Sequence, residues 1–489
     1  MNTLRAAVIV LLAMFSMGHV GSPDTFFSGK AGPYDVRVSV RLPGVIPGRA
    51  QVTVRVNGAT SAGEYRVSLR AGQWNVGLKG APPPEPASPV PGDPALYAAD
   101  LWFMTSSSYQ MAVDVSGPSG AGTAIVPVLA IATAERTMPR WLGTALFALG
   151  LFLTLGFLTL VGAAVRESVV PPGQAPDAGR RRRARYAGAV AAVLAAVVLW
   201  GGYAWWGVEA RAYREGVRYR PFAVEAARRS DGDRDVLTLS IRDPRWTGVP
   251  VATSRFNALM PDHGKLMHLF LVREDGLDAF AHLHPVAQSS QGLDFETALP
   301  RLPAGRYRVY GDIVHESGYA QTLVTSVEVG ERTGKDGPAL TDADDSWFVG
   351  SPAHESANEV RLPDGARVVW TRTARPVAGE EQLLSFALRD ASGAVLDVEP
   401  YMGMAAHVIV ASADHRVFAH LHPSGSISMA ALQKFTNGSA STHVAHAPAT
   451  ESGAIDVPYA FPAAGKYRLW VQFKRGGAVQ TAAFDLTVQ

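Results

Sequence analysis

The sequence of 489 residues contains no cysteine. This absence excludes disulfides, zinc–thiolate sites, iron–sulfur clusters and blue-copper thiolate sites, because each of them needs a cysteine sulfur. Any soft metal ligand must therefore be methionine, and any borderline ligand histidine. Net charge is only +2, so the chain has no polybasic footprint for nucleic acid. Charged residues make up 18% of the chain, which is lean for a soluble protein and favours a partly membrane-embedded one.

Three apolar runs indicate export and membrane insertion. The first, from Ala6 to about Met17, follows one arginine and is too short to span comfortably. It predicts a signal peptide over residues 1–21, with an uncleaved membrane helix as the alternative. Residues 141–165 and 186–207 carry no charge, and each is long enough to cross a hydrocarbon core of ~30 Å as a helix.

The segment between the two predicted spans, residues 166–185, is rich in arginine. Five of its arginines stand close together: Arg180, Arg181, Arg182, Arg183 and Arg185. The positive-inside rule places such a segment in the cytoplasm as a loop. Residues 22–138 and 208–489 then lie together on the opposite side of the membrane, where the signal peptide independently sends the N-terminal region.

Residues 22–138 are predicted to form a β-sandwich. Apolar and polar residues alternate in "YDVRVSVRL" and "GRAQVTVRV", and "SSYQMAVDVSG" resembles a further strand. The proline-rich stretch "APPPEPASPVPGDP" is predicted to be a loop. This region has no histidine and its acidic residues do not recur in pairs, so it shows no catalytic constellation.

The rest of the chain contains an internal duplication. The hexapeptide "FAHLHP" occurs at residues 280–285 and again at 418–423. After each hexapeptide, a predicted hairpin begins near a tyrosine (Tyr307 or Tyr467) and returns near a Gln-Thr pair. The duplication predicts two tandem β-sandwich domains, at 221–330 and 347–489, joined by a stretch of linker composition.

The second hexapeptide belongs to a predicted hairpin with a two-residue turn at Asp414–His415. Antiparallel partners then have residue numbers that sum to 829, so His407 lies opposite His422. His420 shares their face, because side chains alternate along a strand and opposed residues point the same way. His407, His420 and His422 are thus predicted to converge.

The first hexapeptide gives the same arrangement with a turn that is one residue longer. A three-residue loop containing Gly276 makes the partner numbers sum to 552, so His268 opposes His284 and His282 lies beside them. A slip of one residue would turn a strand's side chains to the other face. A cluster that keeps its register across this insertion indicates a metal site rather than a chance group of histidines.

Imidazole together with thioether, without thiolate, suits copper best, and imidazole alone also suits zinc. The candidate methionine ligands are Met267 and Met404, which precede the strand histidines. His315 is a candidate additional ligand that the second copy lacks, and His443 and His446 are predicted to recruit metal weakly from a loop. A Met-and-His site would hold both Cu(I) and Cu(II).

Two other functions stay open. Strand histidines can be purely structural, bonded to backbone carbonyls, in which case the protein is a non-metal scaffold or assembly factor for a membrane complex. A His₃ metal with an open coordination position is also compatible with catalysis. However, no general base, His-Glu-x-x-His, Gly-x-Ser-x-Gly or P-loop sequence accompanies the histidines, so we do not expect an enzyme.

The hairpin "HLFLV…FAHLHP" and the closing strands "GKYRLWVQFKRGG" resemble exported bacterial β-sandwich proteins of the FixH-like and YtkA-like type, whose architecture is related to CopC-like and cupredoxin-like copper carriers. The resemblance implies three Ig-like or cupredoxin-like β-sandwiches with two transmembrane helices, in the bacterial inner membrane with the large domains in the periplasm. It further implies copper binding, delivery or homeostasis, with a copper-containing oxidase or a copper transporter as partner. A cupredoxin site needs cysteine, so electron transfer is not expected.

Overall fold

The computed structural model describes residues 24–58, 61, 63–231, 234–246, 254–289, 292–331, 342–351, 355, 357–372, 375–436 and 453–489. The predicted signal segment and the loop histidines His443 and His446 lie outside these residues. The described chain is mainly β with several sheets and two long apolar helices, which confirms the mainly β part of the predicted class. It divides into two compact units, one formed by the chain up to Ile131 together with Arg220–Gln489, the other by Ala132–Tyr219.

The smaller unit contains two helices, α1 (Arg140–Glu167) and α2 (Ala178–Gly216). Both are long and apolar enough to cross a membrane, judged by length and composition. Helix α2 begins before the predicted span, so the arginines stand on its first turns and not in a loop. The Asp177 side chain caps this helix by accepting a hydrogen bond of 2.7 Å from the backbone N–H of Arg180.

The N-terminal region forms an eight-stranded antiparallel sheet whose order is 1-2-3-6-5-4-7-8. Its strands are β1 (Thr25–Ala31), β2 (Tyr34–Arg41), β3 (Gly48–Val56), β4 (Arg66–Gln73), β5 (Glu85–Val90), β6 (Asp93–Phe103), β7 (Ser107–Gly117) and β8 (Gly120–Ala130), with a short 3₁₀ turn at Leu78–Gly80. The prediction that the proline-rich stretch is a loop was wrong. It supplies β5, where Ser88 and Pro89 pair with β6 beside an irregularity that accommodates proline.

The first repeat follows helix α2 and forms two sheets around one apolar core. Its strands are β9 (Val224–Asp231), β10 (Arg234–Ile241), β11 (Leu259–Met260), β12 (His268–Arg273), β13 (Ala279–Leu283), β14 (Val286–Ala287), β15 (Asp294–Ala298), β16 (Gly305–His315), β17 (Ala320–Val329) and β18 (Ser346–Val349). The sequence assigned most of β18 to the second domain, but it pairs with β13 and so extends the sheet of the first repeat.

The second repeat also encloses its core between two sheets. Its elements are β19 (Glu359–Arg361), β20 (Arg367–Thr371), β21 (Glu381–Arg389), β22 (His407–Ser412), β23 (Phe418–Leu421), the helix α3 (Met429–Thr436), β24 (Ala454–Ala460), β25 (Gly465–Arg475) and β26 (Ala478–Val488). The predicted closing hairpins are confirmed in both repeats, as β16–β17 and β25–β26.

The two repeats pack against each other through the outer faces of their histidine hairpins. On β12, Leu269 and Leu271 enter the core of the first repeat, whereas Phe270 and Val272 face the second repeat. Strand β22 alternates in the same way. Aromatic rings stack across this interface, with centroids 4.8 Å apart for Phe280 and Trp470. Both faces of these strands are buried, which explains why their sequences are almost continuously apolar.

Strand β1 of the N-terminal region extends onto the second repeat just after its hexapeptide. The backbone N–H of Ser28 donates to the carbonyl of Ser424 at 3.0 Å, and that of Ser426 donates to the carbonyl of Phe26 at 3.0 Å. The Phe26 ring packs into the core of the second repeat, 5.8 Å from the ring of Tyr459. The N-terminal region therefore covers the chain beside His422.

Candidate metal centre

The hairpin registers place the strand histidines as the sequence predicted. Leu269 pairs with Leu283 in the first hairpin, and Val408 pairs with Leu421 in the second. These pairs confirm the partner sums of 552 and 829 in spite of the different loop lengths. All six strand histidines are buried or nearly so: His268, His282, His284, His407, His420 and His422.

The structure brings the two predicted clusters together into one group. Because the hairpins face each other across the repeat interface, the ring of His420 lies 5.4 Å from His268 and 5.3 Å from His407, centroid to centroid. The rings of His282 and His407 are 6.2 Å apart. The expectation of two separate sites is therefore corrected to one contiguous cluster, because the repeats dock through the same faces that carry the histidines.

A seventh histidine, His263, joins the cluster from a turn that the sequence analysis did not single out. The turn runs from Asp262 to Lys265, and its counterpart in the second repeat runs from Tyr401 to Met404; each is closed by two backbone hydrogen bonds of 2.8–3.0 Å. His263 and Met402 have matching backbone angles, with φ of 51° and 50°. The His263 ring crosses the interface, 5.4 Å from His407 and 5.2 Å from His422.

In the first hairpin, hydrogen-bond acceptors fix which ring nitrogen carries the proton. His268 Nε2 lies 3.1 Å from the carbonyl oxygen of Asp262, which can only accept, so this nitrogen carries the proton. His282 Nδ1 lies 2.9 Å from Gln472 Oε1 and likewise donates. In neutral rings the opposite nitrogens then carry lone pairs. His268 Nδ1 and His282 Nε2 are 3.2 Å apart, so two lone pairs face each other.

The proton on His282 Nδ1 is fixed by Tyr401 and not by the Gln472 amide. The other contacts of Gln472 are the hydroxyls of Ser346, at 2.6 Å, and Thr481, at 3.2 Å, which can donate or accept, so Oε1 faces His282 because Nδ1 donates. The Tyr401 hydroxyl donates to the carbonyl of Asp344 at 3.0 Å and lies 3.2 Å from His282 Nδ1, so it accepts from the same N–H. Both neighbours of His282 Nδ1 therefore act as acceptors.

His284 completes the first triad, which we define as His268, His282 and His284. Its Nδ1 donates to Asp345 Oδ1 at 3.0 Å, and its backbone N–H donates to the same oxygen at 2.8 Å. This leaves the lone pair on Nε2, which is buried without a hydrogen-bond partner among the described residues. One ring nitrogen of each of the three histidines lies within 4.8 Å of the other two, close enough for one metal ion.

A second group of three combines histidines from both repeats. We define the second triad as His263, His407 and His422, whose ring nitrogens also lie within 4.8 Å of one another. Neither ring nitrogen of His407 has a hydrogen-bond partner within the described chain, and His263 Nε2 has none either. Both ring nitrogens of His422 are likewise buried without a hydrogen-bond partner among the described residues.

His420 lies between the two triads. Its Nδ1 is 3.4 Å from Asp312 Oδ2 of the first repeat, and its Nε2 is buried and unpartnered among the described residues. Asp312 and Gln472 occupy corresponding strand positions in the two repeats, opposite His268 and His407. Asp312 of the first repeat faces His420 of the second, and Gln472 of the second repeat faces His282 of the first. Each repeat thus supplies a polar group that orients a histidine of the other.

Burial favours the uncharged form of five of the seven histidines of the cluster. Desolvation lowers the pKa values of His268, His282, His407 and His422 well below that of a free histidine, and neighbouring histidines lower them further. Desolvation also lowers the pKa of His263. Neutral imidazole is the form that coordinates a metal ion.

Carboxylates outnumber ammonium groups around the cluster. Asp345 bonds His284, Asp312 faces His420, and the backbone carbonyl of Asp262 accepts from His268. Lys265 pairs with Asp342, and Lys474 lies 3.0 Å from Asp344. Five acidic residues (Asp262, Asp312, Asp342, Asp344 and Asp345) therefore face two lysines, and this excess of negative charge favours a bound cation.

Some predicted ligands are not brought to the cluster. Met267 is fully buried in the apolar core of the first repeat, on the far side of the strand from His268, because successive side chains alternate. His315 donates from Nδ1 to the carbonyl of Asn257 at 2.6 Å amid aromatic rings, and desolvation lowers its pKa to about 4. Both are structural here. Met404 is buried in the turn that ends at the cluster.

The comparisons with known proteins yield one family match. A family model described as a domain of unknown function, DUF8832, matches residues 224–331 and 359–489, just under half of the chain, and each matched segment contains one hexapeptide. No curated protein matches the chain. The resemblance to FixH-like and YtkA-like proteins stays a prediction.

The solved structures that are similar to the chain are varied β proteins. They include latent PorU from Porphyromonas gingivalis (8% identity, TM-score 0.14, covering 95% of this chain and 34% of that one). A Salmonella alpha-2-macroglobulin reacted with methylamine has 9% identity and a TM-score of 0.19, with coverages of 96% and 24%. The chain therefore spans about a third and a quarter of these two proteins. Superpositions this weak carry no argument about function.

Proposed function

We propose that the protein is a membrane-anchored metal-binding protein that holds a transition-metal ion in the histidine cluster between its two repeats. The observation that carries the proposal is the pair of facing lone pairs on His268 Nδ1 and His282 Nε2. Two buried lone pairs at this distance repel each other, and burial opposes the protonation that would relieve the repulsion. A cation bound to both nitrogens removes the repulsion.

The spacing suits coordination by a single ion. Nitrogens bound at about 2.0–2.1 Å to one tetrahedral metal ion lie about 3.3 Å apart, close to the 3.2 Å between His268 Nδ1 and His282 Nε2. His284 Nε2 supplies the third nitrogen. Its bond to the buried Asp345 carboxylate fixes the ring's tautomer and raises the basicity of Nε2, as carboxylates behind zinc-bound histidines do.

Copper is the metal we propose first, with zinc as the alternative. The triad is a set of imidazoles, which suits copper, zinc and nickel, and among divalent ions copper binds such sites most tightly. Met267 is not proposed as a copper ligand, because it packs in the core of the first repeat. Met404 stays a candidate soft ligand through its place in the turn beside the cluster.

The proposed membrane topology is the one that the sequence predicts. Three β-sandwiches, one before the two apolar helices and two after them, would lie on the periplasmic side of a bacterial inner membrane. The arginines at the start of helix α2 support this orientation through the positive-inside rule. Copper delivery or homeostasis is the corresponding role, with a copper-containing oxidase or a copper transporter as the proposed partner.

Metal content and titration test the proposal. The full-length chain, purified in detergent without added metal, is analysed for metal and then titrated with Cu²⁺ and with Zn²⁺, each alone. We expect binding that the double substitution His268→Asn/His282→Asn strongly weakens. The matched control is His415→Asn, at a half-buried turn tip outside the cluster.

Two outcomes would overturn the proposal. One is the absence of binding by the unmodified chain, which would favour the scaffold alternative with structural histidines. The other is unchanged binding by the double variant while the control also binds normally, which would place any metal elsewhere. Near-native thermal unfolding of both variants without metal shows that lost binding does not reflect misfolding.

A further inference from the structure

We infer that the cluster holds a second metal ion, bound by the second triad of His263, His407 and His422. This inference rests on the proposed function, because it extends metal binding from the first triad to a distinct set of ligands. It assigns His263, a turn residue without a histidine counterpart in the other repeat, as a ligand that reaches across the repeat interface.

The case begins with unmet hydrogen-bonding capacity. His407 is fully buried, and neither of its ring nitrogens has a partner among the described residues. His263 Nε2 is in the same situation, and its nearest carboxylate oxygen, on Asp262, is 4.0 Å away. Buried polar atoms are nearly always satisfied in native proteins, so a group of unpartnered imidazoles indicates a ligand.

The geometry makes these three rings a coordination set. Their ring nitrogens lie within 4.8 Å of one another, and the rings meet at steep angles, 77° between His263 and His407 and 84° between His407 and His422. The third pair, His263 and His422, meets at 59°, so none of the three rings stacks on another, and one nitrogen of each ring can face a common centre.

A single ion cannot serve both triads. The nitrogens of each triad lie close together, but among the described residues no such close group combines members of both. The acidic residues near His284 do not replace the second triad, because Asp345 already accepts from His284 and Asp342 is paired with Lys265. Two compact sets of three nitrogens therefore predict two ions per chain.

The second triad also joins the repeats. His263 belongs to the first repeat, whereas His407 begins β22 and His422 directly follows β23 of the second hairpin. An ion bound to all three links the Asp262–Lys265 turn to that hairpin. Since such an ion binds only the docked arrangement, it should raise the unfolding temperature beyond the effect of the first ion.

Stoichiometry of the full-length chain tests the inference. The probe is Zn²⁺ alone and then Cu²⁺ alone, in detergent, with bound metal counted after removal of free ions. The variant is His263→Asn, because asparagine tolerates the positive φ of this position. The matched control is His415→Asn, the same substitution at another positive-φ turn residue, with φ of 57°.

We expect two ions per unmodified chain, two for the control and one for His263→Asn, together with a smaller metal-induced rise in unfolding temperature for that variant. One ion per unmodified chain overturns the second site and leaves the proposed function standing, whereas no ion overturns both. Two ions retained by His263→Asn overturn this ligand assignment. If that variant does not fold, His422→Asn gives the same test.

Discussion

The two histidine hairpins have the same register and the same three histidines, yet they differ in what surrounds those histidines. In the first hairpin, Tyr401 and Asp345 each hold one ring nitrogen as a donor, so the metal-facing nitrogens are fixed in advance. In the second hairpin, His407 has no such partner. Asp312 faces only His420, which lies outside the second triad, so the second triad lacks the orienting partners of the first and we expect the first to bind the proposed metal more tightly.

The hairpins also differ in the segment that follows the hexapeptide. In the first repeat, Val286 and Ala287 form β14 and pair with β15 of the same repeat. In the second, Ser424 and Gly425 contact strand β1 of the N-terminal region. The second hairpin therefore depends on another part of the chain for its cover, which gives the N-terminal region a structural role that its own sequence did not reveal.

The largest expected effect concerns what the hairpins share, which is the burial of neutral histidines. Above pH ~6.5 these rings are neutral in both folded and unfolded chains. As pH falls below that value, the unfolded chain takes up protons that the folded chain excludes, because the folded-state pKa values of His268, His282, His407 and His422 are depressed. Stability of the metal-free chain is therefore lost toward acid, by roughly 4 kcal/mol over the first pH unit for the four groups.

Denaturant unfolding in the presence of a chelator, between pH 7.5 and 5.5, measures this slope. His415→Asn serves as the comparison, since that residue lies outside the cluster. A free energy of unfolding that is flat or rises toward pH 5.5 would contradict the buried, neutral cluster in both hairpins.

The second largest effect is expected at the contact between strand β1 and the chain that follows the second hairpin. A Cβ on Gly425, where φ is +108°, would lie 2.0 Å from the carbonyl oxygen of Phe26. Gly425→Ala should therefore force β1 away and lower the free energy of unfolding by about 1–3 kcal/mol, as overpacking does. Gly120→Ala is the matched control, because Gly120 has φ of +113° and open space around its Cβ. Equal losses in the two variants would mean that the contact with β1 is unimportant.

The difference in orienting groups is tested at Asp345. Asp345→Asn weakens the acceptor behind His284, so the first triad should lose about 10–100-fold in metal affinity. Binding at the second triad should not change, because Asp345 does not contact it through any described hydrogen bond. Asp275→Asn removes the same charge from the exposed tip of the first hairpin and serves as the control. Equal affinities for Asp345→Asn and the control would show that the carboxylate does not orient the ligand.

The smallest effect is expected at Gln472. Glutamate can only accept from His282 Nδ1, as the amide oxygen does now, so Gln472→Glu should change metal affinity by less than about tenfold. Gln472→Leu offers no acceptor and should bind more weakly. If the glutamate variant loses the metal and the leucine variant keeps it, the amide does not orient His282.

The sequence predicted the local geometry of the cluster well, because strand alternation alone decides which histidines share a face. The pairs Leu269–Leu283 and Val408–Leu421 confirm that register. It also predicted the two apolar helices, because their long uncharged runs leave little other choice of structure. Beta strands within proline-rich sequence were missed, since the pairing of β5 depends on its neighbours and not on its own composition.

The contiguity of the cluster could not be predicted, because it depends on how the repeats dock. Phe280 and Trp470 are simply apolar in the sequence, and nothing local says that their rings stack across an interface. His263 was missed because a turn residue follows no strand periodicity. The sequence did contain a signal for His263: it precedes His268 by the same number of residues as Met402 precedes His407, so the two turn residues correspond. Asp345 was missed because it lies in a segment whose composition is that of a linker.

The most direct test of the account is the crystal structure of the metal-loaded chain, with anomalous diffraction collected at the absorption edge of the bound metal. The account predicts an anomalous peak about 2.0–2.1 Å from both His268 Nδ1 and His282 Nε2. A direct hydrogen bond between these two nitrogens in metal-loaded crystals, with no peak beside them, would contradict it.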